Sequence, residues 1–106
     1  MTTWRCLATV KRVVDGDTFA CDFDLGWGLW LHEVTGRPNR VRILRLDTPE
    51  RGQPRYEEAK ARLASVLGTQ VWVTSLKLDS FGRTLADVTT LDGQDVRSLM
   101  PEEWWV

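Results

Sequence analysis

A single run of helical period stands among runs of strand character, and that contrast limits the folds open to this 106-residue chain. From Tyr56 to Leu67, Ala59, Leu63, Val66 and Leu67 share one helical face, and Glu57, Glu58, Lys60 and Arg62 stay on the wet side. Gly68 is a natural C-terminal stop. Elsewhere the pattern is that of strands. Val10 to Val14 is rich in β-branched residues and runs into Asp15-Gly16, a hairpin signal. Thr18 to Leu25 alternates, with Phe19, Cys21, Phe23 and Leu25 on one face and Thr18, Ala20, Asp22 and Asp24 on the other. Gly26 to His32 continues or re-enters that strand, its glycines allowing bulges. After a turn cluster from Thr35 to Asn39, Val41 to Leu46 reads as a strand ending at Asp47. Val71 to Leu78 and Thr84 to Thr90 are further strands around the turn Asp79 to Arg83. Val96 to Met100 is read as one helical turn before Pro101. The order β-β-β-α-β-β predicts an α+β chain, mainly β: a small five-stranded Greek-key barrel of the OB type, with one main helix after the third strand. At this length one domain, residues 1–106, is expected.

Bulk numbers exclude several classes. With 42% hydrophobic and 27% charged residues, the composition is that of a globular chain rather than a disordered or fibrous one. Two cysteines and one histidine cannot build a structural zinc site. A two-residue Asp15-Gly16 turn would set Val14 opposite Asp17 and Val10 opposite Cys21. Cys6 would then lie four residues along the strand from Cys21's partner, roughly 13 Å away, too far for a disulfide. The start of the chain lacks a basic segment followed by an apolar run, and no run is long enough to span a membrane, so a cytoplasmic location is expected. Net charge is −1, yet between Gly36 and Arg55 six arginines (37, 40, 42, 45, 51, 55) face two acids, Asp47 and Glu50. Such a local excess attracts phosphates whatever the total charge.

Three segments carry chemistry: Asp15-Gly16-Asp17-Thr18, Arg42-Ile-Leu-Arg-Leu-Asp47-Thr48-Pro49-Glu50, and Asp79-Ser-Phe-Gly82-Arg83. They offer two acids to hold a cation, one acid to act as a base, and two arginines to grip an anion. That set suits phosphodiester hydrolysis.

These segments resemble the staphylococcal nuclease (thermonuclease, SNase-like) family. The resemblance runs from about Thr9 to about Val96, with five residues from Arg42 to Asp47 and three from Asp47 to Glu50 as in the family pattern. It implies an OB barrel, Ca2+-dependent cleavage of DNA or RNA, and a 5′-oxygen leaving group. By position, Asp17 and Asp47 match the metal carboxylates and Thr48 the residue lending its backbone carbonyl. Glu50 matches the proposed general base, and Arg42 and Arg83 the catalytic, phosphate-binding arginines. Phe81 falls in the family's substrate-contacting turn, where Ser80 and Phe81 replace a lysine and a tyrosine. Two other departures stand out. The stretch from Asp17 to Arg42 carries an insertion rich in Trp and Gly, and the family's C-terminal helices are mostly missing.

Other readings attach to the same residues. Asp15 is read as a turn former. Asp47-Thr-Pro-Glu could be a strand end and helix cap. Arg42 needs an anionic partner, which could be Asp47 or Glu50, and Arg83 could pair with Asp79 or Asp87. His32 is read as a surface residue. Trp27 and Trp30 could stack bases, with packing on the barrel preferred. Trp104 and Trp105 are expected to cover the barrel where the family's helices would sit; they could instead dock a partner, and they or the insertion could pair two copies of the chain. Another nuclease pattern, pairing Asp47 with Glu58-Ala-Lys60, needs those residues on a strand, where the period is helical. A non-catalytic SNase-like module binding nucleic acid or protein is the alternative to the enzyme.

Overall fold

A computed structural model of the chain describes residues 4–34, 39–78 and 83–106. Its elements in chain order are β1 (Trp4–Asp15), β2 (Thr18–Gly26), β3 (Leu29–Leu31), β4 (Arg40–Ile43), α1 (Tyr56–Leu67), β5 (Gln70–Leu78) and β6 (Thr84–Thr90). Two short 3-10 turns follow, Val96–Leu99 and Glu102–Trp104. The sheet order is β1-β5-β6-β4-β2-β3, and β1 also pairs with β2. Five strands therefore close a barrel of the SNase/OB-like type, and β3 is a sixth, short strand added outside it on β2. All neighbouring pairs are antiparallel except β4 with β6.

The first hairpin differs from the expected register. Asp15 pairs with Thr18, so the turn is Gly16-Asp17 rather than Asp15-Gly16. Irregularities between Val10 and Arg12 and between Val13 and Asp15 take up the difference, so Val10 does lie opposite Cys21. Cys6 pairs instead across β1–β5 with Val73, and both cysteines are free and buried. Burial raises the Cys6 thiol to about 11 and raises Cys21 as well, which leaves both as inert core groups.

The core gathers Phe19, Cys21 and Phe23 of β2, Val41 and Ile43 of β4, Val71 and Val73 of β5, and Ala86 and Val88 of β6. Helix α1 closes one end with Ala59, Leu63 and Leu67, the face expected from its period. Val96, Met100 and Trp104 complete the lining. Trp105 packs against it and forms an antiparallel bridge with Leu46, so the two C-terminal tryptophans do cover the barrel.

The Trp-rich insertion behaves otherwise. Trp27 and Gly28 both have positive φ (58° and 75°), the geometry of a tight primed hairpin turn. The Trp27 side chain is 99% exposed at the tip, so its expected packing on the barrel does not occur. Trp30 is partly exposed and stacks on His32, with ring planes 6° apart. Leu25 and Leu29 are exposed too. The base of the insertion is held by buried Asp22, which accepts the Glu33 N–H and lies 3.1 Å from His32 and 3.6 Å from Lys11. Burial alone would raise that carboxyl, but these partners together hold it below its ordinary range. No helix among the described residues is long and apolar enough to cross a membrane.

Candidate active site

The first hairpin turn lies directly under the helix. A Cβ on Gly16 would come within 2.6 Å of Thr48 Oγ1 and 2.7 Å of Ala59 Cβ. Only glycine on one side and alanine on the other allow this approach. It brings the turn, the helix and the segment after β4 together at one point. Asp17 follows Gly16 and is 5% exposed.

A buried carboxylate has to be satisfied, and Asp17 is. Its Oδ2 lies 2.7 Å from Arg42 Nη1 and accepts the Thr48 N–H at 3.3 Å. Its Oδ1 accepts the Thr18 hydroxyl at 3.0 Å. Arg42 leaves β4 opposite Thr18, which is why it reaches the turn. Its other nitrogen, Nη2, lies 4.0 Å from Asp47 and donates to the Leu46 carbonyl at 3.4 Å. The anionic partner that Arg42 requires is therefore Asp17 first and Asp47 second, with no bond to Glu50 among the described contacts.

After Ile43 the chain turns sharply, with Arg45 in the left-handed region (φ 58°). Leu46 is buried, Asp47 is exposed, and Thr48 is buried again. Thr48 Oγ1 is buried without a hydrogen-bond partner among the described residues. The loop then staples itself: the Glu50 N–H donates to Gln53 Oε1 and the Gln53 N–H to the Glu50 carbonyl. The helix begins only at Tyr56, with Arg55 as its N-cap residue, so Asp47-Thr48-Pro49-Glu50 does not cap it.

Asp15, Asp17, Arg42, Asp47, Thr48, Pro49, Glu50 and Arg83 line one cleft of about 210 Å³. The sequence-based set thus comes together, with one exception. Phe81 lies outside the described residues, as do Asp79, Ser80 and Gly82 of the third segment. Arg83 immediately precedes β6, which runs parallel to β4 with Val41 opposite Thr84, and it lines the same cleft as Arg42. The wider arginine cluster does not converge. Of its described members, only Arg42 lines the cleft, and Arg55 is paired with Glu58 and Glu103.

Two residues that support the cleft from behind its lining do not stand out in the sequence. Gly16 serves as a point of close contact rather than only as a turn glycine. Tyr56 is buried, and its hydroxyl lies 2.9 Å from both the Val14 carbonyl and Asp15 Oδ1. Burial and then Asp15 raise that hydroxyl above its ordinary range. Asp15 thereby faces the cleft, beyond its part in the turn. The signal was the helical period itself, which puts Tyr56 on the same buried face as Ala59 and Leu63.

A family model of staphylococcal nuclease homologues matches residues 40–103, more than half of the chain. The chain belongs to this family. The match opens at β4, so it carries Arg42, Asp47, Thr48, Glu50 and Arg83 and leaves Asp17 outside. The contacts of Asp17 with Arg42 and Thr48 join the first hairpin to the matched part. It also runs past Val96, to include the turn that carries Glu103. A search of curated proteins found no match. Membership places this SNase-like domain in a family of nucleases and nucleic-acid-binding proteins.

The donors around Arg42 can be tested against a metal. Asp17 and Asp47 bring two carboxylates to the same cleft, and Arg42, 2.7 Å from one and 4.0 Å from the other, offsets part of their charge. The donors are oxygens, and the buried Thr48 hydroxyl has no hydrogen-bond partner among the described residues. No group of three or more His, Cys, Asp or Glu among the described residues has metal-binding geometry. This set fits a hard divalent cation held by few protein ligands, with water and phosphate oxygens completing its shell.

Proposed function

We propose that this SNase-like domain is a calcium-dependent nuclease that hydrolyses phosphodiester bonds of DNA or RNA with water as nucleophile. The observation that supports it is the convergence of Asp17, Arg42, Asp47, Glu50 and Arg83, from three separate segments, on one cleft. In this reading Asp17, Asp47 and the Thr48 carbonyl hold Ca2+. When bound, the ion neutralises phosphate charge and makes a coordinated water more acidic.

The other residues act directly on the substrate. A phosphodiester gains charge on its non-bridging oxygens as water attacks, and planar guanidinium forks are suited to take that charge. Arg42 and Arg83 have this role. Arg42 starts from its ion pair with Asp17, so it stays oriented before substrate arrives. Glu50 takes the proton of the attacking water as the new P–O bond forms and the bond to the 5′-oxygen breaks. Its backbone is fixed by Gln53, which leaves its exposed carboxylate at the cleft wall. Phe81 belongs to the proposal as a substrate contact, and a cytoplasmic location is proposed with it. If two copies pair, the exposed insertion is the surface available, since Trp104 is buried within the barrel.

The test compares wild type with Glu50→Gln on single-stranded DNA and RNA, in calcium, in magnesium and in chelator. Calcium-stimulated cleavage reduced about a hundredfold in the variant is expected. Wild-type cleavage no greater than that of Glu50→Gln would sink the enzyme. Retained binding of the same strands would then favour a non-catalytic nucleic-acid-binding module.

A further inference from the structure

We propose that residues 103–106 are a clamp that positions the loop carrying Asp47, Thr48 and Glu50. The inference rests on the reading of those residues as the active-site loop. The side chain of Asp47 does little to fix itself: it is 64% exposed, and its ion partner Arg42 is 4.0 Å away. The backbone around it is fixed from outside the loop. The Asp47 N–H donates to the Trp104 carbonyl at 2.8 Å, Leu46 bridges Trp105, and the Val106 N–H donates to the Arg45 carbonyl at 3.1 Å. Residues 45–47 and 104–106 thus form a short antiparallel ladder. Arg97 Nε adds a second donor to the Arg45 carbonyl at 2.8 Å. Arg45 needs this support, because a residue with a Cβ rarely adopts its left-handed backbone.

The other end of the loop meets the same segment. Arg55, the residue before α1, places its guanidinium 5.0 Å from the Trp104 ring and pairs with Glu103. The loop from Asp47 to Arg55 therefore leaves and returns against residues 103–106. The clamp itself is anchored. Trp104 is part of the core, Trp105 Nε1 donates to the Met100 carbonyl at 3.0 Å, and Arg97 lies over the Trp105 ring. Leu46, held in the ladder, also accepts from Arg42, so the clamp reaches both the acidic loop and the arginine facing it. These residues set the separation between Asp47 and the Asp17–Arg42 pair.

Val106→Pro tests this without entering the core. Its side chain is 72% exposed, and Trp105 already has the extended backbone (φ −77°, ψ 137°) that a following proline requires. The substitution removes the N–H that bonds Arg45; Val106→Ala keeps it. Amide hydrogen exchange and calcium titration are measured on the full chain. In Val106→Pro the Asp47 amide is expected to exchange about tenfold faster while the Val73 amide is unchanged, and calcium affinity to fall about threefold. Val106→Ala is expected to match wild type in both. Unchanged exchange at Asp47 in Val106→Pro, or an equal effect of Val106→Ala, would overturn the clamp. Wild type that takes no calcium would instead count against the calcium reading, and the exchange result would still decide the clamp.

Discussion

At one end of β2 the Gly16-Asp17 turn is wedged beneath α1; at the other the Trp27-Gly28 turn stands in solvent. Both ends join aspartate to glycine in a hairpin. Asp24 accepts the N–H of Gly26, two residues away, and its side chain makes no other hydrogen bond among the described residues. Asp17 reaches Arg42 and Thr48, which lie in other elements. The two turns differ in backbone, since Trp27 and Gly28 have positive φ and Gly16 and Asp17 do not. Yet each aspartate makes a local bond, and it is the distant partners that mark Asp17 as the one that organises a cleft. A glycine shows the same contrast. Gly26 has no atom near its missing Cβ, whereas Gly16 has three within 3 Å.

The largest expected effect breaks the comparison at the glycines. Gly16→Ala forces Thr48 and Ala59 apart and is expected to cost about 3 kcal/mol. Gly26→Ala meets no neighbour and suffers only its left-handed backbone (φ 84°), about 1 kcal/mol. Thermal unfolding of the two variants checks this, and equal losses would mean that the turn is not wedged. Next come the aspartates. Asp17→Asn leaves Arg42 only the more distant Asp47 as counter-charge, so about 1–3 kcal/mol of stability and most of the proposed calcium-dependent cleavage should be lost. Asp24→Asn keeps an oxygen for the Gly26 N–H and should change stability by less than about 0.5 kcal/mol. Denaturant titration beside a cleavage assay separates the two.

The smallest effect concerns acid. Asp22, at the foot of the insertion, titrates below its ordinary range in the folded chain. A lowered folded value stabilises above the unfolded pKa of about 3.9 and is lost as pH falls through the folded one. The insertion should therefore open locally below about pH 4, before the barrel unfolds. Amide exchange of Glu33 against pH reads this, and Asp22→Asn should abolish the step while leaving the cleft end of β2 alone.

Much of this was legible in the sequence, for reasons that differ by residue. Helix α1 has the expected bounds because one apolar face, two acids in the first turn and a glycine stop agree. The hairpin turn was misplaced because bulges leave no mark on an alternating pattern, although Val10 opposite Cys21 survived their effect. Arg42, Asp47, Glu50 and Arg83 could be picked out as charged groups beside turns, and they do meet. The packing behind the cleft could not. That Gly16 abuts Thr48 and Ala59, or that Tyr56 holds Asp15, depends on where α1 crosses the barrel, and local pattern does not carry that. The tryptophans show the limit of reading hydrophobicity as burial. Trp104 is 6% exposed and Trp27 almost fully exposed, and only their place in the topology tells them apart.

The parallel contact of β4 with β6 has a consequence for how the protein reaches its working form. Helix α1 and β5 separate β4 from β6 in sequence, so Arg42 and Arg83 share a cleft only through a long-range pairing. Such long-range closure is slow compared with hairpin formation. The first hairpin can form early with Asp17 in place, but the cleft exists only once the barrel has closed. A nascent or half-folded chain therefore has no assembled cleft, and any capacity to cut nucleic acid would appear late, together with the folded state.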